Sequence, residues 1–269
     1  MKTKRTIYYK DYNNDDFAHD IGIKWKPLPE KMKFFHRNPF FSFFGSLLYY
    51  FLALPILWLY SKIKFGVKVV GKKKLKRAHI KGYFIYGNHT QEADGFLNQV
   101  FVSNPRRTYV VCSQDVVCIK GIRNLVMMLG AIPVPARPSE AKKFIDAIEY
   151  HHKKGDVIVI FPEAHIWPYT TLIRDFPDAS FSYPAQLNAP VVAVCSTYEE
   201  RKFFRHRPPR LVIHVSDPFY PNPALPLGER VHELRESVYN YMVDVSSSLD
   251  NYEYVHYVQK NDDDKKINK

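Results

Sequence analysis

The stretch KGYFIYGNHTQEADG, residues 81–95, decides how the rest of the chain is read. Its apolar run, Tyr83–Tyr86, breaks at Gly87 into a polar segment holding Asn88, His89, Gln91, Glu92 and Asp94. A short continuous apolar run suits a strand buried on both faces. Four more follow, at Tyr109–Cys112, Val157–Phe161, Val191–Val194 and Leu211–Val215, with helix candidates between them. Over 139–154, Ser139 is the expected N-cap, Ala141, Ile145 and Ile148 recur at helical spacing, and Gly155 ends the helix. His151, His152, Lys153 and Lys154 crowd its last turn, where the helix dipole favours cations, which explains the His pair without a metal. A long helix is expected from about 227 to 250, with Val231, Leu234, Val238, Met242, Val245 and Leu249 on one stripe. Alternation of strand and helix predicts an α/β fold, a mostly parallel sheet flanked by helices, over residues 81–258. Residues 259–269, ending NDDDKKINK, read as a disordered tail.

The 269 residues are enough for one large domain or two small ones. Hydrophobic residues at 46% and charged residues at 25% exclude a disordered or collagen-like chain. A mean hydropathy of −0.32 excludes a polytopic membrane protein. Cys112, Cys118 and Cys195 form no C-x-x-C pair, which disfavours a disulfide scaffold or Cys-based zinc and suits a reducing compartment. Charge is unevenly placed. Residues 1–80 carry 17 Lys and Arg against 5 Asp and Glu, and the remainder carries 22 of each. A uniformly basic surface for nucleic acid is therefore not expected.

The basic residues of 1–80 flank an uncharged segment. Between Arg37 and Lys62 there is no charge, and Pro39–Tyr60 reads PFFSFFGSLLYYFLALPILWLY. As a helix it would reach about 33 Å, one hydrocarbon thickness. Its rings, including Phe40, Phe43, Phe44, Tyr49, Trp58 and Tyr60, suit the headgroup boundary. Lys62, Lys64, Lys68, Lys72, Lys73, Lys74, Lys76 and Arg77 follow at once, as a polybasic face against anionic lipid does. Residues 1–80 are thus expected to be a basic arm with a membrane-associating segment at about 38–61. Pro55 could split that segment into two short helices dipping into one leaflet, a reading favoured slightly over a full span. The run begins too far in, and lacks the small-residue cleavage site, for a signal peptide.

In parallel sheets chemistry collects at the carboxyl ends of strands. On one helix His89 and Asp94 would lie about 140° apart. They meet only if His89 sits in the turn before a helix and Asp94 in its first turn. An imidazole held by a carboxylate is fixed in one tautomer and is a better base. The run Val157–Phe161 leads into Pro162, which stops strand pairing, and delivers Glu163 to the same edge. Between them LGAIPVPAR, residues 129–137, reads as a short strand leaving a helix, with Arg137 beyond it as a candidate phosphate holder. Gly87-Asn88-His89 also resembles the GNH block of metal-dependent phosphoesterases, but the D-x-H, G-D-x-x-D and G-H-x-H blocks they require are missing. So is the G-x-S-x-G of serine esterases.

The order HTQEAD, GAIPVPAR, FPEA and NAPVVAV (188–194) resembles the four blocks of the glycerolipid acyltransferases that acylate lysophosphatidic acid. The resemblance covers roughly residues 80–200 and rests on order and spacing. It implies His89 as the general base that deprotonates the acceptor hydroxyl and Asp94 as the carboxylate orienting it. Asn88 and Glu163 would help shape the substrate site, and Pro190 matches the fourth-block proline. It further implies transfer from acyl-CoA or acyl carrier protein to a lyso-glycerophospholipid such as 1-acyl-sn-glycerol-3-phosphate, giving phosphatidic acid. No metal or cofactor is called for, and the expected place is the cytoplasmic face of a membrane. Two blocks depart from the pattern. Ala164, His165 and Ile166 replace the family's Gly-Thr-Arg, and Arg137 falls one position late. Phosphate binding would then fall to Arg137, Lys120, Arg123 or Arg174, or the acceptor would be a different lipid. A lipid-binding protein that kept the fold and lost turnover is the alternative.

Overall fold

The computed structural model describes residues 5–18, 32–35, 38–118, 123–248 and 250–260; Lys120, the side chain of Ser248 and Leu249 lie outside the described set. Nine strands are present among the described residues: β1 Arg5–Tyr9, β2 Lys68–Val70, β3 Phe84–Gly87, β4 Thr108–Cys112, β5 Ala131–Pro133, β6 Val157–Ile160, β7 Val191–Glu199, β8 Arg210–Val215 and β9 Val255–Gln259. Seven form one sheet in the order β2-β8-β7-β3-β6-β4-β5. The five strands from β7 to β5 run parallel, and β8 joins β7 antiparallel with β2 parallel to β8.

All five apolar runs are strands, and the central one is β3. Phe84 and Tyr86 face one apolar cluster while Ile85 faces the other, so the strand is buried on both sides. Tyr86 is level with Ile160 of β6 and Ala193 of β7. The residues that follow β3 and β6 therefore emerge side by side at one sheet edge, and β7 runs on past them.

Helix Ala141–Lys153 covers one face, and helix Leu227–Ser248 packs Leu234, Val238 and Met242 against it. Ser139 does not cap the first of these. Pro138 opens a 3₁₀ turn, Pro138–Glu140, and Glu140 stands at the cap position without a side-chain capping bond. The His pair also departs from expectation. His151 is buried, its ring stacked 3.5 Å from that of Tyr109 and its Nδ1 2.9 Å from Asp156. Burial pushes the pKa of His151 below the usual histidine value, and that of half-buried His152 too, so the fold favours neutral rings rather than dipole-stabilised cations. A depressed folded-state value means stability is present above the unfolded value, about 6.5, and is lost as pH falls through the folded one. Urea midpoints should accordingly fall between pH 7.5 and 5.5, and His151→Gln should flatten that acid limb. An unchanged limb would remove His151 from the account.

Three regions outside the expected 81–258 domain are also structured. β2 precedes residue 81 and forms an edge of the main sheet. β1 pairs in parallel with β9, from Arg5↔Val255 to Tyr9↔Gln259, so the arm and the first residue of the expected tail share a small sheet. Strands of three to five residues show too few alternations to declare themselves from periodicity. The apolar segment is a continuous helix, Pro39–Lys64, rather than two. A wide π-helical segment, Leu48–Ala53, runs between Pro39–Leu47 and Leu54–Lys64. Its last bond, Leu54 N–H to Tyr49 O, comes one residue before Pro55, which has no N–H to give. The wide turn absorbs the proline without breaking the helix.

This helix lies lengthwise on the domain. Gly45 fits against Met128, Tyr50 Oη donates to Pro105 O at 3.0 Å, and Lys62 Nζ donates to Val67 O at 2.7 Å. Its opposite face exposes Phe40, Phe43, Phe51, Ile56 and Ile63. By length and composition it is able to cross a membrane.

Candidate active site

β3 delivers His89 into the turn ahead of a short helix, Asp94–Leu97, whose first residue is Asp94. His89 Nδ1 lies 3.1 Å from Asp94 Oδ2. The same oxygen accepts the Thr90 N–H at 2.7 Å and the Gln91 N–H at 2.9 Å. Asp94 is buried, and a carboxylate that collects three donors is anchored before any substrate arrives. With Asp94 accepting from Nδ1–H, the basic lone pair is on Nε2. No described residue bonds Nε2, and the His89 side chain is 15% exposed. Its ring stacks on Phe161 with centroids 4.4 Å apart.

Glu163 arrives beside it after β6, in a role other than the expected substrate contact. Its side chain is fully buried. One carboxylate oxygen, Oε2, accepts the His89 N–H at 3.3 Å and Arg174 Nη2 at 3.1 Å, and Oε1 accepts the Arg174 N–H at 3.2 Å. Burial raises the Glu163 pKa, and the Arg174 guanidinium pulls it back down. Arg174 is itself 1% exposed, also bonds His165 O, and lies with Cζ 5.0 Å from the Trp167 ring. Buried there, it neutralises Glu163 and ties down the loop, where a phosphate holder open to solvent was expected. Two more bonds join that loop to the first block, from Trp167 N–H to His89 O and from Tyr169 N–H to Thr90 O, both 3.1 Å.

Asn88 is also occupied. Its Nδ2 donates to Ser196 O at 3.1 Å and its Oδ1 accepts the Ser196 N–H at 2.8 Å, so it joins the ends of β3 and β7 instead of facing a ligand. Arg123 Nε donates to Val117 O. Arg137 pairs with Glu140 and remains 40% exposed at the carboxyl edge, past β5. Sequence reasoning passed over Tyr198, whose hydroxyl lies 2.8 Å from Thr90 Oγ1 and accepts from Gln91 Nε2 at 3.0 Å. A polar group on the strand beside β3, near its end, was the available signal. It passed over Trp167 too, which is enclosed by Tyr9, Tyr12, Phe17 and Tyr257.

Ala164, one of the departures from the family pattern, has φ +64°. Left-handed backbone disfavours a Cβ, so Ala164→Gly should stabilise the fold by about 0.5–1 kcal/mol. An equal or lower urea midpoint would show that the loop relaxes around alanine.

Residues 66–197, which hold His89, Asp94, Glu163 and Arg174, match the family model Acyltransferase. No curated protein matches the chain. Among solved structures the fold is similar to that of the 1-acyl-sn-glycerophosphate (LPA) acyltransferase PlsC from Thermotoga maritima. The TM-score is 0.55 at 16% identity, over 77% of this chain and 88% of that one. The match over residues 66–197 and the likeness of fold support the glycerolipid acyltransferase family.

Proposed function

We propose that the protein transfers a fatty acyl group from a thioester to the free hydroxyl of a lyso-glycerophospholipid, with 1-acyl-sn-glycerol-3-phosphate as the favoured acceptor and phosphatidic acid as product. The observation that carries this reading is the His89–Asp94 pair at 3.1 Å with Nε2 left open at the sheet edge. Nε2 takes the proton of the acceptor hydroxyl as its oxygen attacks the thioester carbonyl. The tetrahedral intermediate collapses with loss of thiolate, which recovers the proton from the imidazolium. Asp94 holds the ring and stabilises its charged form. A thioester is already activated, so this chemistry asks for neither a metal nor a covalent intermediate.

With Arg174 buried, Arg137 is the described cation from the expected set best placed to meet a headgroup phosphate. It lies three strands from β3, about 14 Å at ordinary strand spacing, a span that an extended lyso-lipid can bridge. The apolar face of helix Pro39–Lys64 suits a one-leaflet anchor, since its other face is committed to the domain along much of its length. Lipid would then present the acceptor, on the cytoplasmic side where acyl-CoA or acyl carrier protein supplies the donor.

The test is acyl transfer from labelled acyl-CoA and acyl carrier protein to a panel of lyso-lipids, with His89→Ala alongside. Transfer to lysophosphatidic acid that vanishes in a folded variant supports the full reading. Activity on another acceptor alone keeps the mechanism and moves the substrate. The altered third block and buried Arg174 favour one second reading, a lipid-binding protein without turnover, which would bind lyso-lipid and release no thiol.

A further inference from the structure

The connection between β7 and β8 reads RKFFRHRPPR, residues 201–210. Lys202 through Arg207 are all exposed, Phe203 at 81% and Phe204 at 63%. Five cations stand in these ten residues and no acid does. Phe204 is met within the loop by His206 and by Arg207, whose Cζ lies 5.3 Å from the ring, and neither phenylalanine is buried in the domain.

The loop is nonetheless fixed in place. Arg201 Nε donates to Pro208 O at 2.7 Å and closes its base. Arg201 Nη2 donates at 3.0 Å to Lys64 O, the last residue of the apolar helix. Buried Pro209 stiffens the return strand. The base of the loop therefore sits beside the C-terminal end of helix Pro39–Lys64. It also lies beyond the carboxyl end of β7, the strand that Asn88 ties to the His89 turn.

We propose that Phe203 and Phe204 insert into an anionic bilayer surface while Lys202, Arg205 and Arg207 meet its headgroups. This makes a second membrane contact, at the catalytic edge, that continues the exposed face of the helix and brings the mouth of the His89 site to the lipid. The inference rests on the reading that the helix face meets a bilayer. Aromatic rings among cations also suit single-stranded nucleic acid, but continuity with an apolar helix favours lipid. Each ring leaving water is worth roughly tenfold in affinity or more, and each cation near an anionic surface roughly fivefold.

The full-length chain is sedimented with vesicles of phosphatidylcholine alone or mixed with phosphatidylglycerol. Phe203→Ser/Phe204→Ser should bind both about a hundredfold more weakly. Lys202→Gln/Arg205→Gln/Arg207→Gln should lose about a hundredfold on the anionic vesicles, in a salt-dependent manner, and little on the neutral ones. Melting temperatures should not change, because every altered side chain is exposed. A Phe43→Ser/Phe51→Ser variant separates the two ideas. If it loses binding while the hairpin variants bind as wild type, the hairpin proposal is overturned and the anchor stands. If none of the variants loses binding, both fall. Loss of binding to an oligonucleotide, with vesicle binding intact in the hairpin variants, also overturns it.

Discussion

His89→Ala is expected to lower the turnover number for acyl transfer by about 10²–10⁴-fold at an unchanged melting temperature. The size follows from what is lost. Without the imidazole, water must take the hydroxyl proton, and the positioned Nε2 lone pair is gone. The fold keeps its grip because the backbone of residue 89 carries the architecture: its N–H goes to Glu163 and its carbonyl to Trp167. Alanine preserves both. Asp94→Asn offers a sharper comparison. The amide oxygen can still accept from Thr90 and Gln91, so the turn survives, but the neutral group no longer stabilises an imidazolium. Turnover should fall at least about tenfold with KM nearly constant. A rise in KM with turnover intact would place the pair in substrate binding instead of proton transfer.

The largest stability effect should come from Arg174→Met. Removing one partner of a buried ion pair leaves the other charge uncompensated, a loss of about 3–5 kcal/mol. In a chain of this size that is a melting temperature lower by roughly 10 °C. Glu163 then becomes easier to protonate than it already is. A carboxyl whose folded pKa is raised binds protons that the unfolded chain releases, so stability falls as pH rises through the folded value. The deficit of Arg174→Met against wild type should therefore shrink on acidification. The double variant Glu163→Gln/Arg174→Met, which removes both charges, should recover part of it. A single variant as stable as wild type would show that the pair is hydrated and not the buried tie described. Activity should fall in the single variant as well, because Glu163 holds the His89 N–H.

Much of the fold was legible because it rests on local pattern. Five apolar runs became five strands, since a strand covered on both faces cannot hide its composition. The short strands were not legible. β2 and β9 are recognised only by the partners they meet, Val212–His214 and Arg5–Tyr9. Spacing across a strand-to-helix turn allowed the His–Asp pair to close, and the order of the four blocks, read as a family resemblance, is what singled it out. The roles of Glu163, Asn88 and Arg174 were not. Each has a side chain suited to binding a ligand, and only burial reveals that each is consumed by the protein itself. The helix at 39–64 shows both sides of this: its apolar character is plain in the letters, while its passage through Pro55 depended on a widened turn.

By itself, then, the amino-acid order determined the α/β class and the edge of the sheet where His89 and Asp94 come together. Those follow from hydrophobic period, chain direction and short-range spacing, which are properties of neighbouring residues. Tertiary structure decided which charged groups face a substrate and which face one another. It paired Glu163 with Arg174, left Arg137 near solvent, and tied the base of the loop that exposes Phe203 and Phe204 to the end of the apolar helix. Solvation is the physical reason. The cost of a charge and the use of a ring depend on what surrounds them, and those surroundings are assembled from residues far apart in the chain.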